Sequence, residues 1–300
     1  VRCHTRFIVN PRSGRATDAL AAVRAFAART GAEVLLTEHR RHAHALALAA
    51  REDGCERVVA VGGDGTMNEV AAALVGSAVI LGLVPCGSGD GLGRQLGLHG
   101  AVTHALRVLE TGRPRVIDSG VADGHPFFTV AGLGFEALIA QRFNELVRRG
   151  FLRYLTTSTR AWWGEREHRY RITAGGNAIE CSAFTLAIAN ACQYGNNALI
   201  APRGRLDDGR IDLCAVPRPS LFSGLPLAIR LFTGSIDRGH RVTSLQAERF
   251  VIERESPGPI HTDGETHAAG TTLEFSVRPA SLRVLVPIST QRDECVASPC

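Results

Sequence analysis

The sequence predicts an α/β protein, with a parallel-sheet domain at the N-terminus followed by a mainly antiparallel, β-rich domain. Strand-like and helix-like segments alternate through the first third of the chain. Parallel strands need long crossovers, so such alternation favours a parallel sheet covered by helices. After Val116-Ile117-Asp118 the pattern changes to short β-like runs bounded by turn residues. Glycine-rich turns also follow several of the early strands directly, and in open sheets ligands sit outside the carboxyl ends of the strands.

Thr5 to Asn10 reads as strand, Ala16 to Arg29 as an Ala-rich helix, Glu33 to Thr37 as strand and Ala43 to Asp53 as helix. Arg57 to Val61 continues as strand, Met67 to Leu74 as helix and Val79 to Val84 as strand. Beyond the change of pattern, β-like runs occur at Phe127 to Ala131, Arg169 to Thr173, Ala183 to Ala189, Ile211 to Val216, Arg249 to Glu253 and Leu273 to Val277. Helical stretches are expected at Leu138 to Phe151 and Phe222 to Phe232, and the tail from Thr290 to Cys300 is expected to be loosely ordered.

A chain of 300 residues, 45% hydrophobic and 21% charged, can bury the core of one large or two ordinary domains. It holds no uninterrupted apolar run of roughly 18 residues and no apolar leader with a cleavage site, so the expectation is a cytoplasmic protein, peripheral to the membrane. The eight cysteines lack Cys-x-x-Cys or paired Cys/His spacing, which argues against zinc and reads as reduced thiols. A net charge of +5 has local Arg concentrations at residues 148–153 and 166–171. With few aromatics and no recognition motif, these read as solvated surface or as contacts to phosphates or an anionic membrane surface, rather than nucleic acid. All 34 basic side chains are Arg. The absence of Lys excludes a Walker-type P-loop and a protein-kinase phosphate lysine.

The most informative stretch runs from Val58 to Glu69, where an apolar strand empties into Gly62-Gly63-Asp64-Gly65-Thr66. Glycines let backbone N–H groups approach a polyanion closely, and the helix that follows turns its positive end to the same place. Asp64 is the odd member. A carboxylate beside phosphate is repelled unless it faces a metal ion or a proton to be removed, which points to phosphoryl-transfer chemistry. Pro85 to Arg94 forms a second phosphate loop, in which Ser88 and the N–H groups around Gly87 and Gly89 could cradle oxygens. Asn10-Pro11-Arg12-Ser13-Gly14 follows the first strand and reads locally as a turn. Thr37 ends the second strand with a hydroxyl that suits either a ribose or phosphate contact or a helix cap. Asp263-Gly264-Glu265 and Leu206 to Asp212, with its Asp208-Gly209 step, read locally as turns carrying acids.

These motifs, in this order, together with Gly132-Leu133-Gly134-Phe135-Glu136, resemble the diacylglycerol kinase/sphingosine kinase catalytic family over nearly the full chain. The resemblance implies a β-sandwich for the second domain, with Leu282 to Val286 returning to the first. Expected boundaries are therefore 1–118, joined by 282–300, and 119–281, with the active site in the interdomain cleft. It also implies that Asn10, Arg12, Ser13, Thr37, Gly62, Gly63, Gly65, Thr66, Gly87, Ser88, Gly89, Arg149 and Arg153 contact ATP. Glu265, Asp263 and Asp208 are the implied Mg²⁺ ligands, and Glu136 the implied acid against the lipid headgroup. The chain departs from its relatives at Asp90, where they usually carry Asn.

The expected activity is an ATP- and Mg²⁺-dependent phosphorylation of a hydroxyl on a membrane lipid, diacylglycerol or a sphingoid base. Asp64 is assigned as general base and Glu265 as the metal-positioning acid, with exchange of these roles left open. Expected partners are a lipid substrate and an anionic membrane surface, without nucleic acid; a homodimer stays open. The rival readings are a NAD kinase-like enzyme and a non-catalytic lipid- or nucleotide-binding regulator, the latter suggested by Asp90.

Overall fold

The computed structural model describes residues 4–87, 89–144, 164–220 and 222–288. The described chain divides into two compact units, one running to Ser119 and resuming at Pro279, the other covering Gly120–Arg278.

The first unit carries β1 (Thr5–Val9), α1 (Ala16–Thr30), β2 (Glu33–Leu36), α2 (His42–Glu52), β3 (Arg57–Gly62), α3 (Asp64–Leu74), β4 (Ile80–Pro85), α4 (Gly91–Gln95), α5 (Val102–Thr111) and the start of β5 (Arg113–Ala122). Its strands lie in the order β2-β1-β3-β4, all parallel, and Arg283 and Val284 add a further parallel strand beside β4. β1, β3 and β4 are buried almost throughout because helices cover both faces, which is why they read as continuous apolar runs. α1 turns Ala16, Ala19, Val23, Phe26 and Ala27 inward at helical spacing, and Phe26 meets Phe7 edge to face at 5.8 Å.

α3 begins at Asp64, three residues earlier than the apolar pattern predicts. Gly63 stands extended before it, and its carbonyl accepts the N–H groups of Thr66 and Met67, so the glycine turn itself forms the first helical turn. Polar and glycine residues there hide the start from a hydrophobic pattern.

The second unit holds β6 (His125–Phe127), β7 (Val130–Gly134), α6 (Phe135–Asn144), β8 (His168–Ala174), β9 (Asn177–Ala183), β10 (Thr185–Ala189), β11 (Ile211–Val216), α7 (Gly224–Phe232), β12 (Thr243–Ala247), β13 (Arg249–Arg254), β14 (Gly258–Thr262), β15 (Glu265–Ala269) and the start of β16 (Thr272–Val286). One layer is an antiparallel sheet in the order β12-β11-β10-β7-β14-β15. The other is antiparallel β9-β8-β13-β16. Leu133, Leu186, Ile188, Leu213 and Ile260 from the first layer pack with Tyr170, Ile172, Phe250, Ile252, Leu273 and Phe275 from the second, which makes a β-sandwich. The opposite face of the six-stranded sheet is buried as well, Ala187, Ala189, Cys214 and Val216 packing with Leu227 and Leu231. Ala183 to Ala189 divides at Phe184 into two strands, and the two runs from Leu273 and from Leu282 join into one long strand. The expected helix from Leu138 starts three residues earlier, and its last part lies outside the described residues. The reading of uniformly reduced thiols is corrected at Cys192, which is disulfide-bonded, whereas Cys86, Cys181 and Cys214 are free thiols.

Candidate active site

Three loops meet at the carboxyl ends of β1, β3 and β4. Asn10 closes β1 by donating its N–H to the Val61 carbonyl at 2.9 Å and its side-chain amide to Thr66 Oγ1 at 3.1 Å. Its Oδ1 accepts the Arg12 N–H, and its carbonyl accepts the Ser13 N–H, both at 3.1 Å. Gly14 adopts φ 48°, and a Cβ there would stand 2.0 Å from the Cys86 carbonyl oxygen. Only glycine permits both features. Gly63 and Gly87 also pack backbone to backbone, since a Cβ on Gly87 would lie 2.9 Å from Gly63 Cα. The Thr66 and Met67 N–H groups are taken by the Gly63 carbonyl, whereas those of Asp64 and Gly65 have no preceding helical carbonyl to bond, so they are the donors this junction turns to an anion.

Asp64 ties the glycine turn to the second loop. Its Oδ2 accepts the Asp90 N–H at 3.0 Å and its Oδ1 the Gly91 N–H at 2.8 Å, fixing the carboxylate at the start of α4. Asp90 is only 4% exposed and sits in the left-handed region at φ 48°. Its Oδ1 accepts the Gly87 N–H at 3.1 Å. Burial and the neighbouring charge of Asp64 push the Asp90 carboxyl up to about 6, against the pull of the Gly87 N–H, Arg94 and Arg15. Burial and the charge of Asp90 push the Cys86 thiol up to about 11, so Cys86 is a packed thiol and not a reactive one.

The structure brings Asn10, Ser13, Gly63, Asp64, Gly65, Thr66, Gly87 and Gly89 together on one unit. Gly62 and Thr66 lie beneath the turn, where a Cβ on Gly62 would meet Thr66 Oγ1 at 2.7 Å. Their contribution is to close packing and to the bond from Asn10. Thr37 is buried just past β2, its N–H donated to the Val9 carbonyl at 2.9 Å, and Arg12 is exposed beside the first loop. Ser88, Arg149 and Arg153 lie outside the described residues.

On the second unit, the Asp-Gly-Glu tripeptide is the turn between β14 and β15, and its two acids do different things. Asp263, expected as a metal ligand, has both carboxylate oxygens engaged in hydrogen bonds. Asp263 Oδ2 accepts the Phe128 N–H at 2.7 Å, while Oδ1 accepts the Thr129 N–H at 2.8 Å, the Val130 N–H at 3.0 Å and the Thr129 hydroxyl. Burial raises this carboxyl and those four donors oppose the rise. With its oxygens committed inward, Asp263 anchors the 128–130 segment. Glu265 is exposed at the first position of β15.

Glu136, in the first turn of α6, points into a small polar cluster that residue patterns did not reveal. Its Oε2 accepts the Tyr194 hydroxyl hydrogen bond. Its Oε1 is buried without a hydrogen-bond partner, 3.6 Å from His261 Nε2. The Gly264 N–H donates to His261 Nδ1 at 3.3 Å, which leaves the ring proton on Nε2 facing Glu136. A Cβ at Gly132 would fall 1.6 Å from Glu136 Oε1, so the glycine before Leu133 makes room for the carboxylate. His261 stands two residues before Asp263 in an otherwise strand-like run, whereas Tyr194 lies in a loop and carried no sequence signal.

Asp208 Oδ1 accepts the Arg210 N–H at 3.1 Å and Oδ2 the Gln246 amide at 3.2 Å. Burial and the nearby Asp208 charge raise the Asp212 carboxyl to about 6, so this turn concentrates negative charge. Among the described residues no group of three or more His, Cys, Asp or Glu side chains is arranged to hold a metal ion.

The diacylglycerol kinase catalytic domain model matches residues 4–122, and the YegS C-terminal NAD kinase beta sandwich-like domain model matches residues 129–286. A diacylglycerol kinase of Mycobacterium tuberculosis is 29% identical over 93% of this chain and 94% of its own length. A Pseudomonas aeruginosa protein named "Probable lipid kinase YegS-like" is 32% identical over 80% of this chain and 79% of its own length. An uncharacterised Synechocystis sp. protein is 27% identical over 86% of the chain, and the match spans 62% of that protein. In fold, the chain is similar to a crystal structure of a diacylglycerol kinase from Bacillus anthracis, with a TM-score of 0.72 at 18% identity over 96% of this chain and 98% of the other. An NAD kinase from Archaeoglobus fulgidus, solved in complex with ATP, shares the fold at a TM-score of 0.56 and 10% identity over 97% and 95% of the two chains. With one model on the glycine turns and the other on the sandwich that holds Glu136 and the Asp-Gly-Glu turn, the chain belongs to the diacylglycerol kinase family.

Proposed function

We propose that the protein is an ATP- and Mg²⁺-dependent lipid kinase that moves the γ-phosphoryl group of ATP to a hydroxyl of a membrane lipid, diacylglycerol or a sphingoid base. The observation that carries this reading is the Asp64 carboxylate, which joins the Gly62–Gly65 turn to the 87–91 loop through two backbone hydrogen bonds. That arrangement surrounds a carboxylate with N–H donors at a helix start, a combination suited to phosphoryl transfer.

The close backbone approach at Gly14, Gly63 and Gly87 fits a nucleotide's phosphates, because side chains there would fill the space. Mg²⁺ takes few protein carboxylates beside water and phosphate oxygens, so Glu265 together with the nucleotide's phosphates would be enough to hold it. When bound, the Mg²⁺–ATP complex supplies the phosphoryl group and offsets its negative charge. Asp64 takes the proton of the attacking hydroxyl as the new P–O bond forms and the bond to the leaving ADP breaks. Glue for the phosphates comes from the loop N–H groups, with Arg12 adding positive charge. Glu265 positions the metal. Glu136, held by Tyr194 and facing the His261 N–H, orients the lipid headgroup.

The test is transfer of label from γ-labelled ATP to a lipid extract, with NAD offered separately as acceptor. Label in a lipid that requires Mg²⁺ is the expected result. Label in NAD alone would establish the NAD kinase alternative, and label in neither would leave a binding protein.

A further inference from the structure

Among the described residues, four of the seven large apolar side chains that stand exposed lie between Phe222 and Phe232. The α7 helix sends Leu227 and Leu231 inward against Val130, Ala187, Cys214, Val216 and Ile236. Its other face shows Leu225 at 71% exposure, Ile229 at 54% and Phe232 at 55%, and Phe222, just before the helix, at 93%. Spacings of four and three residues align Leu225, Ile229 and Phe232 in one stripe, with Phe222 just before the first turn. A contiguous apolar stripe of this kind on a folded unit marks an interaction site.

The charge around the stripe identifies the partner. Arg230 is the one ionisable residue in the helix and reaches back to the Ser235 carbonyl at 3.4 Å, so the outer face itself is uncharged. Arg238, His240 and Arg241 are exposed just beyond it. The neighbouring carboxylates are already matched, Asp237 with Arg203 at 3.2 Å and Glu167 with Arg241 at 3.4 Å. An uncharged apolar stripe with a cationic fringe complements a bilayer, whose acyl boundary accepts apolar side chains while anionic headgroups attract arginine.

We propose that α7 with Phe222 docks this unit on an anionic phospholipid bilayer, Phe222, Leu225, Ile229 and Phe232 entering the acyl boundary and Arg238 meeting the headgroups. The inference rests on the lipid-kinase reading only in that a membrane-resident acceptor makes such docking useful. It deepens that reading by naming the surface that reaches the acceptor's bilayer.

Binding is measured without ATP or acceptor, by sedimentation with vesicles of phosphatidylcholine alone and of phosphatidylcholine mixed with phosphatidylglycerol. The double variant Leu225→Gln/Ile229→Gln changes only exposed positions, and melting curves check that it stays folded. Its partitioning onto mixed vesicles is expected to fall at least about tenfold. Phe222→Gln, outside the helix, is expected to fall in the same direction, and Arg238→Gln to narrow the difference between mixed and neutral vesicles. Unchanged partitioning of the folded double variant overturns the proposal. So does a self-association, seen by light scattering without vesicles, that the double substitution abolishes, because α7 would then bind a second copy. Turnover of detergent-dispersed diacylglycerol separates the two readings: a wild-type protein that docks through α7 but phosphorylates no lipid retains the docking site and loses the kinase assignment.

Discussion

At the residue scale, the acids of the motifs divide by what their oxygens already hold. Asp64 faces two N–H groups of the next loop, so it has a positioning duty as well as the chemical one proposed for it. Asp64→Asn keeps the shape but places an amide NH₂ where one acceptor was needed, and it removes the basicity. Turnover is expected to fall by more than about 100-fold, with a modest loss of thermal stability from the loosened loop. Near-native turnover in that variant would remove Asp64 from the role of base. Asp90 is a separate case, because its oxygen turns back to the Gly87 N–H and its carboxyl is raised from 3.8 to about 6. The folded protein holds that proton more tightly than the unfolded chain, so its contribution is full below about pH 4 and is lost as pH rises towards about 6. Asn keeps the acceptor and tolerates the left-handed backbone at that position. Asp90→Asn is therefore expected to raise stability at neutral pH by about 1–2 kcal/mol and to flatten its fall between about pH 4 and 6, read from melting temperature across pH. An unchanged pH profile would show that Asp90 titrates alike in folded and unfolded chains.

At the element scale, the β14–β15 hairpin shows how one motif can combine support and chemistry. Asp263 reaches back to residues 128–130 from a backbone at φ 50°, while Glu265 begins the next strand. Asp263→Ala strands several buried donors and is expected to cost about 3–5 kcal/mol, seen as a large drop in denaturation midpoint. Glu265→Ala at an exposed position is expected to leave that midpoint within about 0.5 kcal/mol of wild type and to lower the rate and its response to Mg²⁺. Equal losses of stability in the two variants would contradict this division of labour. The spacing in Asp-Gly-Glu shows a turn with two acids, but only the fold reveals which carboxylate is consumed within it. The α5 helix escaped the sequence reading although Ala105, Leu106, Val108 and Leu109 are all buried. Its apolar residues recur at helical spacing, so this helix was legible in the sequence.

At the scale of the whole molecule, burial of the main sheets on both faces explains why strands such as β3 and β10 read as apolar runs and were easily found. No helix among the described residues is long and apolar enough to cross a membrane. Local sequence determined the alternating strands and helices, the glycine turns at strand ends, the change to a β-rich second part, and the order of motifs that reveals the family. These are properties of neighbours along the chain: side-chain periodicity, the left-handed freedom of glycine, and residue order. Tertiary structure alone decided that Asp64 binds the backbone of residues 90 and 91, that Asp263 is spent on residues 128–130, and that Tyr194 and His261 gather around Glu136. Each of those contacts joins residues far apart in sequence, and whether a carboxylate remains available for chemistry depends on which donors the folded chain brings to it.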